Sequence, residues 1–307
     1  MKLLFESGAQ SWSLTCNPEA APRTSSALLA NLPQTLQLHT PKIAGSHIYW
    51  HAPFVEDVEN EAHVLDAKPG AFIYWPVRQF LEITFAPLQA ETAAVTVLGQ
   101  LDGPVDGIVV LGQALRENQG RTRFDGRLSL LSQGGYRPLP QPASSVPADI
   151  VADRRALWEN QPDDLQAAIL SRGIMHPAGP VLMAESEARV LHEILWWARA
   201  RIGREDETVL RKMAALALDK AAVRLKDFCH LDQSARLLYR LAAAMADGQA
   251  PVRDLLEEAI LVAGRLAAWI DLLIPWNDLN ESFRAVLDEP DMHPHRSAPL
   301  ESHGAAL

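Results

Sequence analysis

The stretch Gly45-Ser46-His47-Ile48-Tyr49-Trp50-His51, with Lys68-Pro69-Gly70 and the apolar runs Ala71 to Trp75 and Leu81 to Phe85 that follow it, decides the fold. Its first segment alternates with period two. As a strand it sends His47, Tyr49 and His51 to one face and Ile48 and Trp50 to the other. Two histidines and a tyrosine are poor material for a fully buried face, so that face is either solvated or functional. The Pro69-Gly70 pair suits a type II turn, because glycine accepts a positive φ without strain. Two strands follow it at once, Ala71 to Trp75 and Leu81 to Phe85, with Glu82 pointing away from Leu81 and Ile83.

Outward from this block, strand and turn signals fill the first 139 residues: Leu3 to Glu6, Trp12 to Cys16, Ala94 to Leu98, Gly107 to Leu111 and Arg127 to Leu131. Only Thr24 to Leu32 reads helical there, ended by Pro33. Short strands at regular spacing predict a barrel or sandwich. The Pro/Ser-rich run from Arg137 to Pro147 reads as a linker. After it the apolar period becomes 3.6, predicting helices over Ala152 to Asn160, Asp163 to Arg172, Glu185 to Ile202, Glu207 to Phe228, Gln233 to Ala246 and Val252 to Ile274, the last stopped by Pro275. Asp206 and Asp232 are candidate N-caps, and Gly203 a helix stop. The expected class is α+β in two domains: a β-barrel over 1–142, an antiparallel α-helical bundle over 148–288, and a disordered tail over 289–307.

The chain has 307 residues, more than one hydrophobic core usually serves, and a net charge of −10. With no basic stripe among its aromatics it is not expected to bind nucleic acid. Cys16 and Cys229 stand alone, which predicts a reducing compartment. No apolar run reaches membrane-spanning length and none at the start suits a signal peptide, so a cytoplasmic protein without membrane contact is expected. Leu195, Trp196, Trp197, Trp269 and Trp276 offer more apolar surface than one bundle core needs, which predicts a homodimer.

The pattern Pro69-Gly70, Tyr74-Trp75-Pro76 and Leu81-Glu82-Ile83-Thr84-Phe85-Ala86-Pro87, with Glu59-Asn60 ahead of it, resembles the cyclophilin-like barrel of small bacterial domains. Such a barrel followed by a helical bundle resembles cucumopine synthase, an opine-forming family. The resemblance implies condensation of histidine with 2-oxoglutarate and a Pictet-Spengler ring closure, without a cofactor. Small-molecule amino acid and 2-oxo acid substrates are the partners it implies. The alternative is a non-catalytic ligand- or peptide-binding barrel that dimerises through its bundle. Prolyl isomerisation is weaker still, since no motif of those isomerases occurs.

Such a condensation needs a proton donor and acceptor and cations for the carboxylates. His51 and Glu82 are the candidate acid and base, with Tyr49 and Glu59 to orient groups and relay protons. Arg78, His47 and the loop residue His176 are candidates for substrate binding. Each has a plainer alternative: an outer barrel face for the strand residues, water for Glu82, and an ion pair with Glu82 for Arg78. His192 reads as a core or surface residue. No metal site is expected, because on a strand His47 and His51 stand about 13 Å apart.

Overall fold

The computed structural model describes residues 1–43, 45–88, 93–141, 143–171 and 176–286. Strands β1 (Lys2–Ser7), β2 (Gln10–Cys16), β3 (Gln34–Gln37), β4 (His47–His51), β5 (Glu61–His63), β6 (Ala71–Trp75), β7 (Phe80–Thr84), β8 (Ala94–Leu101) and β9 (Asp125–Ser132) form one sheet. Its order is β3-β9-β1-β2-β8-β6-β7-β4, with β5 paired to β8. Every pairing of strands is antiparallel. The two ends of the order meet where His39, just past β3, exchanges backbone hydrogen bonds of 2.8 and 3.1 Å with Tyr49 on β4. The sheet thus curls into a nearly closed barrel, which leaves few unpaired edge groups.

The alternation in β4 holds. Ile48 and Trp50 join Phe5, Phe72, Tyr74, Leu81 and Ile83 in the barrel core, with the Trp50 ring stacked 5.5 Å from Phe5. Helices α1 (Pro22–Ala30) and α2 (Asp106–Asn118) add Leu28, Ile108, Leu111 and Leu115 to that core. Gly70 has φ +85°, as the turn over Lys68 to Gly70 requires.

The strand expected over Gly107 to Leu111 is instead the first part of α2. The β-branched Ile-Val-Val run suggested a strand, but Ile108, Leu111, Gly112 and Leu115 are buried at helical spacing. Packing one face outweighs a weak local preference.

Beyond the linker lie α3 (Ala148–Glu159), α4 (Asp163–Leu170), α5 (Ala178–Arg199), α6 (Glu207–Cys229), α7 (Asp232–Asp247), α8 (Val252–Asp271) and α9 (Trp276–Val286). The class is α+β, a barrel followed by a helical part. Arg172, Gly173 and the tail 289–307 lie outside the described residues. Asp206 caps α6, accepting from the Thr208 and Val209 amides. Asp232 does not cap α7, whose N-cap is Leu231. The helix expected to run to Ile274 ends at Asp271, and Pro275 stands immediately before α9, where a proline costs no helical N–H.

Helix α8 is buried along nearly its whole length, packed on α5 and touching β4. It covers the outer face of β4, which accordingly is neither solvated nor peripheral. Leu195, Trp196 and Trp269 are buried within the protomer, and the Arg201 guanidinium lies 3.4 Å over the Trp197 ring. Trp197 itself remains exposed. Among the described residues no single helix is long and apolar enough to cross a membrane.

Candidate active site

Between the outer face of the barrel and the helical part lies a cleft of about 410 Å³. The barrel supplies His47, Tyr49, Trp75, Arg78 and Phe80, and the segment before β4 supplies Pro41, Lys42 and Ile43. The opposite wall carries Glu185 and Arg189 from α5, Asp271 at the end of α8 and Trp276 at the start of α9. A larger cavity of about 540 Å³ lies within the helical part. It lacks comparable chemistry: its floor is Leu237, Val262 and Leu266, and its Arg240 is paired to Asp149 and Asp153.

Tyr49 is the aromatic centre of the cleft. Its ring stacks on Phe80 at 4.0 Å and on His39 at 5.2 Å, and its hydroxyl accepts a 3.3 Å hydrogen bond from Lys42 Nζ. Burial raises its pKa above the usual phenol value against the opposing pull of Lys42, so it remains a proton donor at neutral pH.

Asp271 is the electrostatic pivot. Its Oδ2 accepts from Lys42 Nζ at 2.6 Å and His39 Nδ1 at 2.8 Å, and its Oδ1 from Trp276 Nε1 at 3.1 Å. Burial works against its charge, yet Lys42, His39 and Arg189 outweigh burial and hold the carboxyl well below its usual range. Burial likewise opposes the Lys42 ammonium, and Asp271 and Tyr49 overcome it, so the pKa is raised. A lysine held charged in this way is no amine nucleophile; it is an acid or a positive anchor.

His47 Nε2 lies 3.3 Å from Glu82 Oε2. Burial, helped by Arg116 and Lys42, pushes the His47 pKa down to about 3, so the ring is neutral at physiological pH. A neutral imidazole keeps a lone pair on one of its two ring nitrogens, as a base requires. Gly45 (φ +129°) makes room for this ring: a Cβ there would stand 2.7 Å from His47 Cε1 and 2.8 Å from Nδ1.

The strand residues proposed from sequence thus come together, but buried rather than on a wet face. Tyr49 opposes Glu82 in the β4–β7 register, and Glu82 is fully buried, facing neither water nor the barrel core. His51 is buried beside them, its ring edge-on to Phe80 at 5.0 Å. It does not line the cleft, and neither of its ring nitrogens has a hydrogen-bond partner among the described residues. Burial holds its pKa well below the usual value.

Two candidates lie elsewhere. Glu59 accepts hydrogen bonds from the Arg23 and Thr24 amides and from Thr24 Oγ1, which makes it the anchor of the α1 N-terminus. His176 is exposed ahead of α5 and does not line the cleft. Arg78 does line it, and pairs with Glu193 on α5 at 3.1 Å. His192, read from sequence as a core or surface residue, is buried, with its Nε2 3.0 Å from Gln79 Oε1, and ties α5 to the barrel.

Sequence reasoning missed Lys42, Arg189 and Asp271, which complete the site across long sequence separations. Asp271 carried a legible signal, a carboxylate in the otherwise apolar run Trp269-Ile270-Asp271-Leu272. Among the described residues no cluster of His, Cys, Asp and Glu has the arrangement of a metal site.

No family model and no curated protein matches this sequence. Among solved structures the chain is similar to McbB, in its complex with tryptophan, with a TM-score of 0.71 at 15% identity over 91% of this chain and 99% of that one. The likeness spans barrel and helices together and establishes a shared fold. The solution structure of the hypothetical protein AF2241 from Archaeoglobus fulgidus matches at a TM-score of 0.33 and 20% identity, over 42% of this chain and 93% of that one. A match that loose carries no argument.

Proposed function

We propose that this chain is a condensing enzyme of Pictet-Spengler type, joining an aromatic amino acid to a 2-oxo acid without a cofactor. The observation that carries the proposal is the cleft itself. An acidic chain gathers Lys42, Arg78 and Arg189 beside a His47–Glu82 pair and an aromatic wall. The shared fold with McbB, whose structure holds tryptophan, supports an aromatic amino acid as one ligand. The resemblance to cucumopine synthase favours histidine with 2-oxoglutarate, giving an opine-type product.

The reaction makes two demands on the site. The neutral amine attacks the ketone carbon, its proton passing to the oxygen, and the carbinolamine hydroxyl leaves as water once protonated. The ring carbon then attacks the iminium carbon, and the ring hydrogen departs as a proton. Tyr49, kept as a phenol, and the Lys42 ammonium behind it suit stabilisation of the carbinolamine oxygen. His47, neutral and backed by Glu82, suits removal of the ring proton, the same pair returning it to solvent. Aromatic walls of Tyr49, Phe80, Trp75 and Trp276 hold the amine's ring near the iminium, and about 410 Å³ accommodates two small acids.

Turnover of histidine or tryptophan with 2-oxoglutarate, followed by mass spectrometry, tests this. His47→Ala and Glu82→Gln should each lower the rate about a hundredfold or more. Circular dichroism should show both variants folded. If no amine and oxo acid give product, the chain is instead a ligand-binding barrel; if product forms and both variants keep full rate, the proton path lies elsewhere.

A further inference from the structure

We propose that Arg189 on α5 is the carboxylate clamp of the cleft, the role that sequence alone suggested for Arg78. This deepens the function proposed above and rests on it for the identity of the ligands. Three cations line the cleft, and the hydrogen bonds separate them. Lys42 directs its ammonium to Asp271 at 2.6 Å and to the Tyr49 hydroxyl, and Arg78 directs Nη1 to Glu193. Arg189 is bonded through Nε alone, to Glu185 Oε1 one turn back at 2.7 Å. Among the described residues Nη1 and Nη2 bond nothing.

That arrangement suits capture of an anion. The Glu185 contact fixes the guanidinium plane at its Nε edge, leaving the two terminal N–H groups as a preorganised pair for a bidentate carboxylate. The side chain is three-quarters buried, so a carboxylate reaching it is screened little by water. Glu185 lines the same cleft and competes for the same guanidinium. The ligand is therefore an organic carboxylate, carried by either the amino acid or the oxo acid.

Calorimetric titration of the intact protein with 2-oxoglutarate and, separately, with histidine distinguishes these sources. For one of the two, Arg189→Gln should weaken binding at least thirtyfold. Arg189→Lys should recover only part of the loss, because the charge returns without the fork. Glu185→Gln should tighten binding severalfold, since a competing anion is gone. A merely structural ion pair would instead make Arg189→Gln and Glu185→Gln weaken binding alike, and that outcome overturns the proposal. So does wild-type protein that binds neither compound, or Arg189→Gln that binds within twofold of wild type. Binding that depends on Arg189 without product from the mixed substrates would sink the condensing enzyme and leave the clamp. Normal product formation with an indifferent Arg189 would do the reverse.

Discussion

Replacing Asp271 by asparagine should destabilise the protein by about 3–5 kcal/mol, the usual consequence of removing one partner from a buried charge pair. The substitution changes shape hardly at all, so the loss reports charge rather than a cavity. Asp271 holds Lys42 and His39 in place and takes the indole N–H of Trp276, and it is buried at the seam between α8 and the barrel. Without its charge the Lys42 ammonium is left with Arg189 and the Tyr49 phenol nearby and, among the described residues, no other carboxylate at hydrogen-bond distance. Thermal unfolding should move down by roughly 10 °C in a chain of this size. Adding Lys42→Met should recover at least half of that, because the stranded charge is then gone too. A shift of under 2 °C for Asp271→Asn alone would show that the pair is not an energetic link between the two parts of the fold.

Acid should unfold the protein well before its carboxylates titrate. Four histidines are buried in their neutral form. Burial holds His39 down at about 4 and His47 and His192 at about 3, and His51 well below its usual value. The unfolded chain takes up protons on these rings near pH 6.5, while the folded chain resists until far lower. Between those limits the unfolded state binds more protons, so stability falls as pH falls, by about 1.4 kcal/mol per ring for each unit below 6.5. At pH 5 the rings together remove several kcal/mol, a large part of a domain's net stability. Asp271 acts in the same direction but later, since its depressed folded pKa contributes stability that is lost only below the ordinary carboxylate range. Equilibrium unfolding followed by circular dichroism should therefore show a transition near pH 5, shifted to lower pH in His51→Phe and His192→Phe variants that fold. A protein folded at pH 4 with unchanged melting temperature would contradict this.

What the sequence made legible was local. Period-two alternation placed Ile48 and Trp50 in the barrel core and His47, Tyr49 and His51 opposite, and the Pro69-Gly70 turn marked the entry to β6. The helical period marked where the barrel gives way to helices. Alternation says which residues share a face but not what covers it, so the β4 face read as either solvated or functional, and the helix α8 lying upon it could not be seen. For the same reason Glu59 looked like a partner of the strand histidines; that it anchors α1 depends on where two loops meet. Lys42, Arg189 and Asp271 sit far apart in sequence, and only tertiary packing makes them neighbours.

One measurement bears most directly on ring closure in this cleft. An imine and its cyclised isomer have the same mass, so condensation alone does not prove closure. Histidine deuterated at its imidazole carbons, or tryptophan deuterated at the indole carbon beside its side chain, should be incubated with 2-oxoglutarate, the protein and no added cofactor. Ring closure predicts a product that has lost water and one ring deuterium and that resists reduction by borohydride. A product that keeps all its deuterium and is trapped by borohydride, or no product beyond the protein-free control, would contradict it.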